Sequence, residues 1–257
     1  MEKAMKAKSA LLDVEGCVLP NKGEAAVNLL HLDDLQKVCL QMAQKGFFVG
    51  LCTGRSQPFA EAVAKTIPAT EIPSIIESGC FLYDPILGDI FPHPKLGDAG
   101  RFLEIKRACL DNLVARGIAR IEPGKEVCIS LNPASRIWGV AELFDLEKLV
   151  QNTLPESFRR DISVTHSQSA VDITPCGIDK GTGLEFFVQH TGIPIEQIVI
   201  VGDSSGDIPG LLLAGHPACP SNAMQSVKEL VQNRGGYVAS ASHALGVVEI
   251  LKYYFEI

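Results

Sequence analysis

Short apolar segments alternate with segments of helical periodicity at both ends of the chain, and this pattern restricts the fold more than any other feature. Residues 198–202 read IVIVG without a polar interruption, and residues 9–14 and 47–52 are also largely apolar. Residues 31–45 carry apolar side chains at helical spacing between two of these runs. Short apolar strands are typical of a parallel sheet buried on both faces. The sequence therefore predicts an α/β fold whose core is a Rossmann-like parallel sheet between helices.

The middle of the chain, residues 81–177, follows a different pattern. A long helical segment near residues 101–116 is followed by short segments in which apolar and polar residues alternate, such as 170–174. This mixture is typical of a small α+β module inserted into a larger domain. We expect a core built from residues 1–80 and 178–257, with residues 81–177 as the inserted α+β domain.

Charge and composition exclude several classes of partner. The formal net charge is −7 and the sequence pI is about 5.4, whereas nucleic acids and anionic membranes require a basic face. No stretch approaches the roughly 18 apolar residues of a transmembrane helix. The eight cysteines form no CxxC pair, which favours reduced thiols in a cytoplasmic protein. We expect a cytoplasmic protein that binds neither nucleic acid nor membranes; the sequence does not fix its oligomeric state.

Polar clusters follow the predicted strands or open the helices between them. They are Asp13-Val14-Glu15-Gly16, Thr53-Gly54-Arg55, Asp179-Lys180-Gly181 and Asp203-Ser204-Ser205-Gly206-Asp207. The carboxyl ends of parallel strands meet at one edge of an open sheet, where ligands bind, so these clusters are expected to converge. Acids beside hydroxyls suit a hard cation such as Mg²⁺, and a hydroxyl followed by glycine suits an oxyanion, whereas a lone lysine at a helix start is usually solvated. Each cluster alone is equally compatible with a polar turn or a helix cap.

The order and spacing of these clusters resemble the four motifs of the haloacid dehalogenase (HAD) superfamily, over nearly the whole chain. The segments DKGTGLEFF at 179–187 and VGDSSGDIPGLLLAG at 201–215 are similar to the Cof-type and sucrose-phosphatase-like class, which carries a large cap between its second and third motifs. The resemblance implies a HAD-like core with residues 81–177 as the cap. It also implies a Mg²⁺-dependent phosphatase that hydrolyses a small phosphorylated metabolite through an aspartyl-phosphate intermediate. A sugar phosphate is one candidate substrate.

The same resemblance implies roles for individual residues. Asp13 would be the nucleophile and Glu15 the general acid–base. Thr53, Gly54 and Lys180 would bind the transferring phosphoryl group. The implied Mg²⁺ ligands are Asp13, the backbone carbonyl of Glu15, Asp203 and Asp207, the last of these directly or through water.

Some positions depart from the commonest form of these motifs. Glu15 stands where Asp is usual, Gly206 where Asn is usual, and Ser78 where Asn is frequent. The extra methylene of Glu15 changes where its proton is held, and Gly206 removes a hydrogen-bonding side chain near the metal. Two alternatives stay open, the first because the motifs are shared with other enzymes and the second because of Glu15 and Gly206. One is a phosphotransferase or mutase that uses the same aspartyl phosphate, and the other is a weakly active or inactive HAD-like binding protein.

Further polar residues have no single expected role. Arg55 is expected either to orient the second motif or to pair with an acid. In the inserted region, His166, Ser167 and Ser169 stand just before the return to the core. There they could meet substrate or simply form a polar hairpin.

Overall fold

The computed structural model describes residues 6–21, 24, 26–97, 99–135, 139–166 and 170–257. The chain divides into two compact units. The first combines the residues up to His93 with Asp179–Ile257, and the second is Pro94–Ile178. No helix among the described residues combines the length and the hydropathy needed to cross a bilayer.

Helices and strands alternate through most of the described chain. Helices α1 to α8 are Leu29–Gln44, Gln57–Thr66, Ala99–Cys109, Val140–Thr153, Lys180–Thr191, Ile208–Leu213, Gln225–Asn233 and His243–Phe255. Strands β1 to β12 are Ser9–Leu12, Phe48–Leu51, Ser74–Ile76, Phe81–Tyr83, Ile90–Pro92, Ala119–Ile121, Ile129–Pro133, Ile162–His166, Val171–Pro175, Ile198–Val201, His216–Cys219 and Tyr237–Val238. The apolar runs of the sequence thus coincide with buried strands, with boundaries that differ by a few residues.

A five-stranded parallel sheet forms the centre of the first unit. Its strand order is β12-β11-β10-β1-β2, so β1 lies between β10 and β2. Ser9 of β1 is paired with Ile198 on one side and with Phe48 on the other. Every residue of β1 and β10 is buried, as expected for strands covered on both faces. The predicted α/β core with a parallel sheet between helices is confirmed.

Alternate side chains of this sheet enter two hydrophobic clusters. Ala10 and Leu12 of β1 pack with residues from α1, α2 and α8, whereas Leu11 packs with residues from α5, α6 and α7. Successive side chains of a strand point to opposite faces, so β1 contributes to both clusters. The sheet is therefore held between two layers of helices, and polar segments follow the carboxyl ends of its strands.

A second, antiparallel sheet belongs to the same unit. Its strand order is β3-β4-β5, and Cys52, directly after β2, forms a parallel bridge with Ile75 of β3. The boundary between the two units lies after His93. It comes later than the boundary expected after residue 80, because β4 and β5 pair with the core strand β3.

The second unit is an antiparallel sheet with two helices. Its strand order is β6-β7-β9-β8, and α4 packs on three of these strands. The paired residues Ile129 and Ile173 are both buried. The helix expected over residues 101–116 is divided, because α3 ends at Cys109 and a π-helical turn, Leu110–Val114, follows it. This unit has the α+β character predicted for the inserted region.

Candidate active site

The carboxyl ends of β1 and β10 bring the first and fourth motifs together. Asp13 follows β1 directly, and its backbone N–H donates to the Val201 carbonyl at the end of β10, at 2.9 Å. Asp203 follows β10 after one glycine. Because β1 and β10 are neighbouring parallel strands, the two acids emerge at the same edge of the sheet.

Lys180 places a positive charge between two acids of this edge. Its Nζ lies 2.8 Å from Asp13 Oδ1 and 2.5 Å from Asp207 Oδ1. Lys180 is the first residue of α5, whose N-cap Asp179 accepts hydrogen bonds from the next two backbone N–H groups of the helix. The Lys180, Asp13 and Asp207 side chains are only 7%, 9% and 2% exposed. The Lys180 ammonium group is therefore placed to bind these carboxylates, or an anion bound beside them.

Asp13, Asp203 and Asp207 form a group of potential metal ligands. One carboxylate oxygen of each lies within 4.8 Å of the others. Mg²⁺ binds oxygen ligands at about 2.0–2.1 Å, so two ligand oxygens of one ion lie at most about 4.2 Å apart, and the side chains need to move by only about half an ångström to share one ion. When ionised, these three carboxylates and the Lys180 ammonium leave two formal negative charges (3 − 1 = 2). One divalent cation would offset them, so the residues present fit a Mg²⁺ ion.

Burial and mutual repulsion raise the pKa values of these acids. Burial is the largest cause of the raised pKa of Asp13, about 7, and the Asp207 charge adds to it. Burial also raises the pKa of Asp203 to about 8, with the charges of Asp13 and Asp207 as further causes. Burial lowers the pKa of Lys180, but the two neighbouring acids outweigh it and hold that pKa well above its usual value. A bound cation would favour the ionised form of both raised acids.

Gly16 allows the loop after β1 to pass against the Asp203 carboxylate. Its φ is +76°, and a Cβ at this position would lie 2.0 Å from Asp203 Oδ2. Only glycine fits both the left-handed backbone and this close approach. The turn that carries Glu15 therefore limits where the Asp203 carboxylate can lie.

Asp207 connects Lys180 to the loop after β10. Its Oδ2 accepts hydrogen bonds from the backbone N–H groups of Asp203 (3.0 Å) and Ser204 (2.9 Å), and from the Ser204 hydroxyl (3.0 Å). Gly202 packs so closely that a Cβ there would lie 2.3 Å from the Asp207 Cβ. Ser204 thus supplies a side-chain hydrogen bond in the loop where Gly206 has no side chain.

The second motif lies beside a strained turn. Thr53 is 2% exposed, and its Oγ1 accepts a hydrogen bond from the Arg55 backbone N–H at 3.1 Å. The residues of the turn Glu77–Gly79 have φ values of +45°, +56° and +104°. In that turn, the Ser78 N–H donates to the Thr53 carbonyl at 3.1 Å, and Ser78 Oγ would lie 3.1 Å from a Cβ on Gly54. Such strain is often found at functional sites, and here the turn fixes the backbone of the predicted phosphate-binding residues.

Glu15 lies outside the group of three acids, because Arg55 binds its carboxylate. Arg55 Nε donates to Glu15 Oε2 at 2.8 Å, and Arg55 Nη2 contacts Glu15 Oε1. Of the two expectations for Arg55, the structure therefore shows pairing with an acid. The expected metal contact of Glu15 involves its backbone carbonyl and stays a prediction.

Asn222 belongs to the site and was missed in the sequence. Its Nδ2 donates to the Gly16 carbonyl at 2.8 Å, and its Oδ1 accepts from the His243 N–H at 2.9 Å. Asn222 thus ties the loop after β1 to the start of α8. Its position shortly after β11 was the available signal, but β11 contains Pro217 and was not predicted as a strand.

The residues singled out in the inserted region are only partly described. His166 ends β8 in the second unit, where its Nδ1 contacts the Glu147 carboxylate and its ring meets Phe144 edge-on at 6.3 Å. Ser167 and Ser169 lie outside the described residues. His166 therefore has partners within its own unit, and a contact with substrate stays a prediction.

The sequence and the fold of this chain are similar to those of known hydrolases. The family model for haloacid dehalogenase-like hydrolases matches residues 131–251. Sucrose-phosphatase from Synechocystis, solved in complex with sucrose and phosphate, superposes with a TM-score of 0.64 at 20% identity, covering 98% of this chain and 99% of that chain. The predicted resemblance to the HAD superfamily is confirmed, in sequence over the matched segment and in fold over nearly the whole chain.

Curated relatives include several phosphoglycolate phosphatases. That of Methanothrix thermoacetophila is 36% identical over 98 residues, which cover 38% of this chain and 42% of the relative. That of Archaeoglobus fulgidus is 23% identical over 248 residues, which cover 96% and 97%. In the more similar match, the chain spans less than half of the curated relative's length.

Proposed function

We propose that this chain is a Mg²⁺-dependent phosphatase that hydrolyses a small phosphorylated metabolite through an aspartyl phosphate on Asp13. The observation that carries the proposal is the buried contact of Asp13 with Lys180, at 2.8 Å, inside a group of acids that fits a divalent cation. A carboxylate nucleophile and a phosphate ester repel each other, so positive charge must lie close to both. Lys180 provides one such charge. Asp13, Asp203 and Asp207, with the Glu15 carbonyl, would hold Mg²⁺, which would offset further negative charge when bound.

The proposed reaction has two steps that use the same pair of carboxyl groups. Asp13 attacks phosphorus, the bond to the ester oxygen breaks, and Glu15 gives its proton to the leaving alkoxide. Glu15, now ionised, takes a proton from water, and the water oxygen attacks the aspartyl phosphate. The bond between phosphorus and Asp13 breaks, which releases inorganic phosphate and restores both side chains.

Thr53, Gly54 and Lys180 bind the transferring phosphoryl group in this proposal. Thr53 and Gly54 follow β2, which is the parallel neighbour of the strand that carries Asp13. The Thr53 hydroxyl accepts the Arg55 N–H, so its own hydrogen is available to donate to a phosphate oxygen. Lys180 Nζ already lies against the nucleophile, where an attacked phosphoryl group would have to come.

Phosphoglycolate is the first substrate to test, because curated relatives bear the name of that activity. Sugar phosphates are the second class, because a sucrose-phosphatase shares this fold. Both are small anions, and a protein with a net charge of −7 would have to bind them locally, through Lys180 and the proposed cation.

The proposal is tested by measuring phosphate release from phosphoglycolate, a set of sugar phosphates and p-nitrophenyl phosphate, with Mg²⁺ and with EDTA. We expect Mg²⁺-dependent release from at least one small ester. Transfer of the phosphoryl group to an added alcohol in place of water would favour a phosphotransferase. No release from any ester, by protein whose circular dichroism shows a folded state, would overturn the proposal and favour a binding protein.

A further inference from the structure

We propose that Arg55 is a positioning residue for Glu15, and that the two residues form one functional unit in this chain. The inference rests on the proposed function, in which Glu15 is the general acid–base. It assigns a role to the last residue of the Thr53-Gly54-Arg55 motif, and it explains why glutamate fits at position 15.

Arg55 holds both oxygens of the Glu15 carboxylate. Its Nε donates to Oε2 at 2.8 Å, and its Nη2 contacts Oε1. Two parallel hydrogen bonds between a guanidinium fork and a carboxylate fix the orientation of the carboxylate as well as its position. The Arg55 and Glu15 side chains are 17% and 26% exposed, so solvent competes with the pair only in part.

Arg55 is itself held from other directions. Its guanidinium lies over the Phe59 ring, 4.9 Å from the centroid. Its backbone N–H donates to Thr53 Oγ1 at 3.1 Å, and its carbonyl accepts from the Glu77 N–H at 3.0 Å. The position of the fork is therefore set by the second motif and by the turn after β3, not by Glu15 alone.

The length of Glu15 is what lets it reach this fork. An aspartate at the same backbone position would withdraw the carboxylate by about one carbon–carbon bond, roughly 1.5 Å. Hydrogen bonds of the observed length would then be lost or would need a bridging water. Glu15 and Arg55 are thus matched in length, and we expect Glu15→Asp to lose the contact that Arg55 makes.

A Glu15 carboxyl group that Arg55 no longer holds should be poorly placed for proton donation. Without Arg55, rotation about the Glu15 side-chain bonds spreads the carboxyl group over several rotamers. Misplacing a reacting group by about 1 Å can lower a rate about 10²-fold. The effect should appear where proton donation limits the reaction, which is with an alkoxide leaving group and not with p-nitrophenolate.

The experiment compares kcat/KM for phosphoglycolate, or for the best alkyl phosphate found, with kcat/KM for p-nitrophenyl phosphate. The proteins are the wild type, Arg55→Met, Arg55→Lys, Glu15→Gln and the double variant Arg55→Met/Glu15→Gln. We expect Arg55→Met to slow the alkyl ester about 10- to 100-fold more than the aryl ester. Arg55→Lys keeps the charge without the fork and should lie between wild type and Arg55→Met. In the Glu15→Gln background, Arg55→Met should add little, because the group it positions is already absent.

Arg101 offers a matched control in the second unit. Its Nε donates to Asp161 Oδ2 at 3.0 Å, and its guanidinium lies 4.4 Å from the centroid of the Phe158 ring. Arg101→Met therefore removes the same kind of ion pair and ring contact. We expect it to leave the ratio of alkyl to aryl turnover unchanged.

The outcomes separate the inference from the proposed function. Suppose that Glu15→Gln slows alkyl esters selectively while Arg55→Met slows both esters equally. Arg55 would then bind the phosphoryl group or stabilise the fold, and the positioning role would be wrong. The positioning role also fails if the effects of the two substitutions multiply in the double variant. If Glu15→Gln itself shows no selectivity for the alkyl ester, the proposed acid–base role of Glu15 fails first.

Discussion

Each unit of this chain buries a lysine among acids, but the two clusters differ in their charge balance. In the first unit, Lys180 contacts Asp13 and Asp207, and Asp203 lies within 4.8 Å of both acids. The pKa values of Asp13 and Asp203 are raised to about 7 and about 8, chiefly by burial. When its acids are ionised, this cluster therefore carries negative charge that the protein does not offset.

In the cluster of the second unit, hydrogen bonds and solvent satisfy more of the charge. Lys125 Nζ lies 2.5 Å from Ser130 Oγ and 3.8 Å from carboxylate oxygens of both Glu122 and Asp172. The Ser130 hydroxyl donates to Asp172, and the two acids are 12% and 27% exposed. Solvent and hydrogen bonds thus share in satisfying its charges. Two acids around a buried lysine need no cation where a hydroxyl and solvent also satisfy them, whereas the third buried acid of the first cluster adds a charge that a cation could offset.

The largest difference between the clusters should appear when one lysine-paired aspartate of each is neutralised. Asp13→Asn removes the proposed nucleophile and should lower kcat for phosphate release by about 10⁴-fold or more. Asp172→Asn keeps the shape of the second cluster and should leave kcat close to the wild-type value. Measured turnover of one substrate by both variants checks this, and an active Asp13→Asn enzyme would remove the basis of the comparison.

The next effect concerns an acid that does not react. Asp203→Asn removes one proposed metal ligand, and a metal ion is worth several kcal/mol of transition-state stabilisation. We expect kcat/KM at fixed Mg²⁺ to fall by about 10²-fold or more, with partial recovery at higher Mg²⁺. Glu122→Gln is the counterpart in the second cluster and should leave the Mg²⁺ dependence of turnover unchanged. Equal Mg²⁺ dependence for wild type and Asp203→Asn would count against a cation at Asp203.

A glycine pair tests the close approach at the first cluster. Gly16 and Gly46 have similar φ values of +76° and +74°. A Cβ added at Gly16 would collide with the Asp203 side chain, whereas a Cβ added at Gly46 would have no atom within 4 Å. Gly46→Ala should cost about 1–2 kcal/mol of stability from its backbone alone. Gly16→Ala should cost more and should also weaken Mg²⁺ binding, because Asp203 must move. Denaturation and Mg²⁺ titration of both variants check this, and equal Mg²⁺ affinity would show that Gly16 does not position Asp203.

The smallest expected effect is the pH dependence of stability without metal. Asp13 and Asp203 have pKa values of about 7 and about 8 in the folded protein, raised from 3.8. Their protonated forms are favoured by folding, so this stabilisation is fully present below the unfolded pKa and is lost as pH rises through the folded values.

In EDTA, the Tm of the wild type should therefore fall relative to that of Asp203→Asn between about pH 5 and pH 8. The expected difference is at least a few degrees, since each unit of pKa change is worth about 1.4 kcal/mol and about 1 kcal/mol shifts Tm by roughly 2–4 °C in a protein of this size. Thermal unfolding monitored by circular dichroism measures it. Parallel pH profiles of the two proteins would mean that Asp203 is not destabilised in its ionised form.

Much of the first cluster could be predicted, because the order and the strand context of its residues are informative together although each polar segment alone is ambiguous. Asp13 and Asp203 come just after uninterrupted apolar runs, and such runs become neighbouring strands of a buried parallel sheet. Lys180 opens a helix whose N-cap is evident in the sequence. The edge of the sheet then brings these residues together.

Other parts of the molecule depend on pairing that the local sequence does not specify. The strand β11 contains Pro217 and β12 has only two residues, so neither is visible as an apolar run in the sequence. Asn222 was missed because the strand before it was not predicted. The hairpin of β4 and β5 was assigned to the inserted region, because nothing local indicates that it pairs with β3. Arg55 had two possible roles in the sequence, and only the fold places its guanidinium group on Glu15.

The first cluster is expected to bind one divalent cation, and the second is not. Calorimetric titration with Mg²⁺ at about pH 7, in two buffers of different ionisation enthalpy, tests this difference most directly. Asp203, with a pKa of about 8, is largely protonated at that pH, and Asp13, with a pKa of about 7, is partly so. We expect one site, release of about one to one and a half protons per ion, loss of binding in Asp203→Asn and unchanged binding in Asp172→Asn. Absence of binding at millimolar Mg²⁺, or binding that survives in Asp203→Asn and is lost in Asp172→Asn, would contradict this expectation.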